Sequence, residues 1–195
     1  MSMEVLFDET LGVCRAIFAE KLLDYGPTWL VFRWVSLIDQ IWIKLRRLRT
    51  LEQADTPAQV ADTPADEYHG VINYCVIGLM KASGALPGDD AVLADPTLLH
   101  ARDTAALLAC YDGAAAEARA LMLRKNHDYG GAWRDMAVPS ITDQMLIKTL
   151  RIKNILLTRR TVSEPDGIAA QCSDILNYCL FSLALLADNS STDNR

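Results

Sequence analysis

Asp24 to Trp29 reads DYGPTW, and Asp128 to Trp133 reads DYGGAW, 104 positions later. Working outward from this pair at the same offset, SLIDQIWIKLRR (Ser36 to Arg47) falls on SITDQMLIKTLR (Ser140 to Arg151), and the INYC that ends at Cys75 falls on the LNYC that ends at Cys179. No gap is needed. From Asp8 to Ala82, 20 of 75 positions are identical to the residue 104 further on, several times what chance gives. A fixed-offset repeat decides the architecture before any local reading: the chain is two copies of one unit.

Each copy reads as three helices. The first ends at the glycine of DYG, a residue suited to the left-handed position just past a helix C-terminus. The second is expected from Ser36 or Ser140 to about Glu52 or Leu156. The third covers about Ala65 to Ala82 and Ala169 to Leu186, where apolar residues dominate. Strand-like alternation is nowhere sustained, so the fold class is all-α. A three-helix unit of about 80 residues buries its faces poorly alone, so the two are expected to pack as one six-helix bundle about a pseudo-twofold axis. The division expected is 1–84 for the first repeat, 85–103 for a Gly-, Pro- and Asp-rich linker with one short helical turn, 104–188 for the second repeat, and 189–195 for a frayed tail.

Composition narrows the function. With 25 acidic against 19 basic residues and a net charge of −6, the chain lacks the broad basic face that covers polymer phosphates, so no polymeric nucleic acid is expected as partner. No apolar stretch is read as approaching the roughly 20 residues of a membrane span, and no secretory signal is read at the start, so no membrane partner and a cytoplasmic location are expected. The five cysteines, Cys14, Cys75, Cys110, Cys172 and Cys179, have no C-x-x-C spacing and read as reduced, mostly buried thiols.

The residues kept identical in both copies are rich in polar types. They are Arg15, Lys21, Asp24, Tyr25, Ser36, Asp39, Gln40, Lys44, Arg47, Asp62, Asn73 and Tyr74, with Arg119, Lys125, Asp128, Tyr129, Ser140, Asp143, Gln144, Lys148, Arg151, Asp166, Asn177 and Tyr178. Packing alone would keep apolar positions. At about 100° per residue, Ser36, Asp39, Gln40, Ile43, Lys44 and Arg47 fall within an arc of about 140°, and their counterparts do the same. On the third helix Gln171, Asp174 and Asn177 share a face, as do Glu67, Gly70 and Asn73. A basic face beside a carboxylate and amide face is fit for a small polyanion, with Lys and Arg three apart on adjacent phosphate oxygens.

Each feature also has a plain reading. Ser36 with Asp39 and Ser140 with Asp143 fit S-x-x-D helix caps. Lys44 with Arg47, and Lys148 with Arg151, are either phosphate contacts or a solvated stripe. Trp29 and Trp133 either staple a loop or stack on a base. Asn73 and Asn177 are either core amides or ligand contacts. Asp24 and Asp128 sit at the negative end of a helix, which calls for compensation, by Lys21 and Lys125 or by a divalent cation.

With K-x-x-D-Y-G-x-x-W, S-x-x-D-Q-x-x-I-K-x-x-R and N-Y-C each present twice, the chain resembles a bacterial family first catalogued as a domain of unknown function and later called a nucleotide-modification-associated domain. More distantly, K-x-x-D-Y-G, then K-x-x-R, then D-x-x-N-Y looks like the all-α nucleoside triphosphate pyrophosphohydrolases of the MazG type. The resemblance implies a MazG-like bundle that binds a nucleotide or related phosphorylated small molecule, with Mg²⁺ as the cofactor of a candidate pyrophosphohydrolase and a homodimer as a candidate assembly. The alternatives are a non-catalytic nucleotide sensor or accessory protein of nucleotide modification, and a helical scaffold. Carried onto this sequence, Asp128, Asp174 and Glu67 become candidate catalytic residues, and the same three with Asp24 candidate metal ligands. Lys21, Lys44, Arg47, Lys125, Lys148 and Arg151 are candidate phosphate contacts, and Tyr25, Trp29, Asn73, Tyr129, Trp133 and Asn177 candidate base contacts. The acidic signature of those hydrolases is split here: Glu67 with Gly70 in one copy, Gln171 with Asp174 in the other. One full carboxylate pair therefore needs both third helices to face a common hollow.

Overall fold

A glycine at positive φ follows the first long helix of each half, Gly26 at 69° and Gly130 at 59°, a backbone conformation that glycine adopts without a Cβ penalty. In the computed structural model, which describes residues 2–54, 58–86, 89–99, 103–158 and 167–192, these helices are α1 (Met3–Tyr25) and α5 (Thr104–Asp128). The first half continues with α2 (Trp34–Gln53) and α3 (Pro64–Ala82), the second with α6 (Val138–Thr158) and α7 (Ile168–Thr192). A short α4 (Asp89–Ala94) and a 3-10 turn at Pro96–Leu99 lie between the halves. The described residues form seven α-helices and no strand. Helix α7 runs to Thr192, past the expected start of the tail; residues 193–195 and Asp166, the counterpart of Asp62, lie outside the described residues.

The helix starts differ from the sequence reading. Helix α2 begins at Trp34, with Arg33 at the cap and no side-chain cap hydrogen bond, and α6 begins at Val138. Ser36 and Ser140 are thus inside their helices, and the S-x-x-D pattern is not a capping box. Asp39 instead pairs with Lys153 of α6, and Asp143 with Arg49 of α2 at 3.2 Å. A capping box does form at α3: Asp66 N–H donates to Thr63 Oγ1 at 3.2 Å, and Thr63 N–H donates to Asp66 Oδ2 at 2.8 Å. Two first-turn donors are satisfied reciprocally.

Apolar faces bring the halves together. Leu37, Ile38, Ile41, Leu45 and Leu48 of α2 are buried, as are Ile141, Met145 and Ile152 of α6, and the two helices pack on each other. Helix α3 packs on α7 in the same way, with Gly78 close enough that a Cβ there would stand 3.1 Å from Cys172 Sγ. Burying each large side chain contributes about 1.5–3 kcal/mol. Four of the five cysteines, Cys14, Cys75, Cys172 and Cys179, are buried free thiols, and Cys110 is half-buried.

Contacts between the halves are reciprocal. Arg15 forks onto Asp112 at 2.6 and 2.9 Å, and their counterparts Arg119 and Asp8 pair at 2.7 and 2.9 Å. The Asp39–Lys153 and Arg49–Asp143 pairs exchange partners by the same rule. A residue in one copy meeting j in the other, while the counterpart of j meets the counterpart of i, is the logic of an isologous interface. The retained Arg15, Arg119, Asp39 and Asp143 therefore serve this interface. Because the Arg15–Asp112 side chains are 42% and 49% exposed, Arg15→Ala should destabilise by less than about 1 kcal/mol in urea unfolding; a larger loss would mean that the fork organises the interface.

By length and composition, residues 168–188 of α7, with hydropathy 1.3, are apolar enough to cross a membrane, which revises the sequence expectation on that point. Its apolar side is core: Cys172, Ile175, Leu176, Cys179, Leu180 and Ala184 are buried. Core helices pass the same test as spans, so this is weak evidence for a membrane segment.

Candidate functional site

The sequence reading calls for one hollow shared by both copies; the structure has two, one per half. The first, about 770 Å³, lies among α1, α2, α3 and the Thr28–Val31 turn. The second, about 520 Å³, lies among α5, α6, α7 and the Ala132–Asp135 turn. Every residue lining the second has its counterpart 104 positions earlier lining the first. Both volumes suit a small organic ligand. The shared hollow fails because α3 and α7 meet through their apolar sides, which leaves each acidic position facing the second helix of its own half.

Glu67 and Asp174 are consequently in different hollows and are satisfied differently. Glu67, 4% exposed, accepts from Lys44 Nζ at 3.0 Å through Oε2 and from Arg47 through Oε1. Arg47 also donates to the Asp62 carbonyl at 2.9 Å. Lys44 lies across Gly70: a Cβ there would stand 2.7 Å from Lys44 Cε. At the counterpart of Gly70 stands Asp174, which accepts from Lys125 through Oδ1 and from Lys148 through Oδ2, both at 2.6 Å. Burial pushes the Asp174 carboxyl up, but the two ammonium groups outweigh it and hold the carboxyl below the ordinary aspartate value. Among the described residues, two lysines and three carboxylates (Asp62, Asp66, Glu67) line the first hollow, and two lysines and Asp174 line the second; Asp166, the counterpart of Asp62, lies outside the described residues. His69 adds no charge to the first at neutral pH, since burial pulls its pKa down.

Aromatic and amide groups differ between the halves at three places. Trp133 stacks on Phe181 at 4.8 Å and 7°, has the Arg134 guanidinium 4.4 Å from its ring centre, and donates its indole N–H to Asn126 Oδ1 at 3.1 Å. It is a wall of the hollow, 8% exposed, and the staple reading suits it better than base stacking. Trp29 packs on Phe18, and its buried Nε1 has no acceptor among the described residues: Leu22 stands where the second half has Asn126. Asn73 Oδ1 accepts from Tyr111 OH at 2.8 Å, whereas the buried Oδ1 of Asn177, a lining residue of the second hollow, has no donor among the described residues.

The sequence-derived candidates thus separate. Lys21, Lys44, Tyr25, Trp29, Asn73 and Glu67 line the first hollow, and Lys125, Lys148, Tyr129, Trp133, Asn177 and Asp174 the second. Arg47 is taken by Glu67, and Arg151 is exposed and lines neither. Asp24 is exposed, and Asp128 is exposed with His127 Nδ1 3.3 Å away. Both point off the last turn of their helices and line neither hollow, so Asp128, Asp174, Glu67 and Asp24 do not converge. Lys21 lies 5.7 Å from the Tyr25 ring centre. Asn126 and Tyr111 were not legible as site residues, because comparing the copies highlights identities, and these two matter where the copies differ.

A magnesium ion asks for one or two carboxylates with oxygens to give, plus water and substrate phosphates. Both oxygens of Glu67 and both of Asp174 are engaged by cations, and among the described residues no three His, Cys, Asp or Glu side chains converge. The described residues of the two hollows do not offer such a set.

A family model described as Nucleotide modification associated domain 1 matches the chain twice, over residues 21–82 and 125–186. Those spans hold both hollows, apart from Ile17 and Phe18 of the first and Met122 of the second. No curated protein and no solved structure matches the chain.

Proposed function

The chain belongs, through both halves, to the nucleotide modification associated domain 1 family, which links it to nucleotide modification, and from that premise we propose that its second hollow binds the phosphate of a nucleotide. The observation that carries this reading is the pair Lys125 and Lys148, retained at Lys21 and Lys44 and aimed into a hollow where both hold Asp174 between them. A scaffold would leave such side chains scattered in solvent. An incoming phosphate takes up the N–H donors that Asp174 does not use, since each ammonium has three. Tyr129, 74% exposed at the rim, and Tyr178 are the aromatic surfaces beside it. Among the described residues the hollow's carboxylate, Asp174, is held by both lysines, which favours a binding role: a sensor or accessory protein of nucleotide modification.

Thermal unfolding with nucleoside mono-, di- and triphosphates tests this. A nucleotide at 100 times its Kd should add about 2.7 kcal/mol of stability, and Lys125→Ala with Lys148→Ala should abolish the gain. No shift with any nucleotide, or a shift that survives the double substitution, overturns the reading.

A further inference from the structure

The two hollows, alike in their lysines, differ in one buried amide. In the first half Tyr111 of α5 reaches across to α3 and donates its hydroxyl to Asn73 Oδ1 at 2.8 Å. The reciprocal rule of the interface puts Phe7 of α1 against α7 in the same role, and α1 does pack on α7. Phe7 is 2% exposed and has no hydroxyl. Asn177, which lines the second hollow and is 5% exposed, is left with a buried Oδ1 that no described residue satisfies. A buried amide oxygen without a donor is a penalty that a fold rarely keeps without use.

On the same lining stands Asn126, whose Oδ1 is taken by the Trp133 indole, so its Nδ2 remains for another acceptor. The first hollow has Leu22 at that position. Acceptor and donor together match the hydrogen-bonding edge of a nucleobase; a phosphate dianion has no donor to give Asn177 Oδ1, and a ribose hydroxyl, which can both donate and accept, is the rival that the base-free sugar phosphate below controls for.

We infer that the second hollow reads a nucleobase edge, with Asn177 Oδ1 accepting a base N–H and Asn126 Nδ2 donating to a neighbouring ring nitrogen or carbonyl, and that the first hollow cannot read that edge because Tyr111 already occupies its amide. This rests on the nucleotide-binding reading above. The copies have kept the same phosphate-facing lysines and divided on base recognition, with the deciding residue outside the hollow at Phe7.

The test compares nucleoside 5′-mono- and triphosphates with the base-free probes ribose 5-phosphate and tripolyphosphate, by calorimetry on the full chain. Wild type should bind at least one nucleotide about tenfold or more tighter than its base-free counterpart. Phe7→Tyr places a hydroxyl where Tyr111 has one and should remove that preference while leaving the base-free probes unchanged. Asn177→Leu should remove it too, and the melting temperature of the ligand-free protein should stay level or rise, because an unsatisfied amide gives way to an apolar side chain of similar size. The melting readout stands even if Phe7→Tyr does not fold. A fall in melting temperature with Asn177→Leu, or a base preference that survives both substitutions, overturns the inference and leaves the phosphate reading standing. Binding of no probe at all removes both.

Discussion

Glu67→Leu should lower the stability of the protein by about 3 kcal/mol in urea unfolding, within the range for removing one partner of a buried ion pair. Glu67 is 4% exposed and each of its oxygens faces a cation, Lys44 at 3.0 Å and Arg47 on the other side. Removing the carboxylate leaves two positive charges side by side under α3. The loss stays at the lower end of the range because Lys44 and Arg47 side chains are 28% and 23% exposed and recover part of their hydration. The triple variant Lys44→Met, Arg47→Met, Glu67→Leu should regain most of the loss, since apolar residues of similar volume replace a buried ionic group at little penalty. A loss below about 1 kcal/mol for Glu67→Leu would show that the cluster is solvated and organises nothing.

The same cluster explains how far the sequence could be read. The 104-residue offset, the all-α class and the third-helix start within a residue were legible, because periodicity and punctuation by glycine are local. The helix starts at Ser36 and Ser140 were misplaced by two positions for a physical reason. S-x-x-D signals a cap only if no better alternative exists for the aspartate, and Asp39 and Asp143 have one in Lys153 and Arg49 across the interface. Partners 114 and 94 residues away leave no local trace. Arg15 and Arg119 were visible as retained but not as interface forks, for the same reason. Glu67 and Asp174 read as halves of one acidic motif because they lie in homologous helices. Their separation follows from which side of α3 and α7 is apolar, and that settles only when the two helices pack on each other. The lysines, tyrosines and asparagines did converge, but on two hollows. What distinguishes those hollows lies at the Leu22/Asn126 and Phe7/Tyr111 positions, where the copies disagree.

Asp174→Asn should move stability and ligand affinity in opposite directions. In the wild type Asp174 neutralises Lys125 and Lys148, both at 2.6 Å, and its own side chain is 19% exposed. The amide keeps the shape but loses the charge, so two ammonium groups converge without the counterion Asp174 supplied, and a loss of about 2 kcal/mol is expected, within the range for hydrogen bonds to charged groups. The pH dependence follows from the depressed carboxyl. A group whose folded pKa lies below its unfolded one stabilises the fold above the unfolded value of 3.8, and that contribution disappears as pH falls through the folded value. The gap between wild type and Asp174→Asn should therefore be full at pH 7 and should close in acid, below pH 3.8. Ligand binding should respond the other way. With the competing carboxylate gone, the two lysines face an incoming phosphate alone, and affinity should rise about tenfold, or ~1.4 kcal/mol, a modest effect for one charge removed a few ångströms away. Were Asp174 a metal-holding or proton-transferring carboxylate, the same substitution would weaken nucleotide handling instead. Measuring nucleotide affinity of wild type and Asp174→Asn at pH 7, without divalent cations and with them, separates the two: tighter binding in both conditions fits a lysine clamp restrained by its own counterion, and weaker binding in the presence of magnesium defeats it.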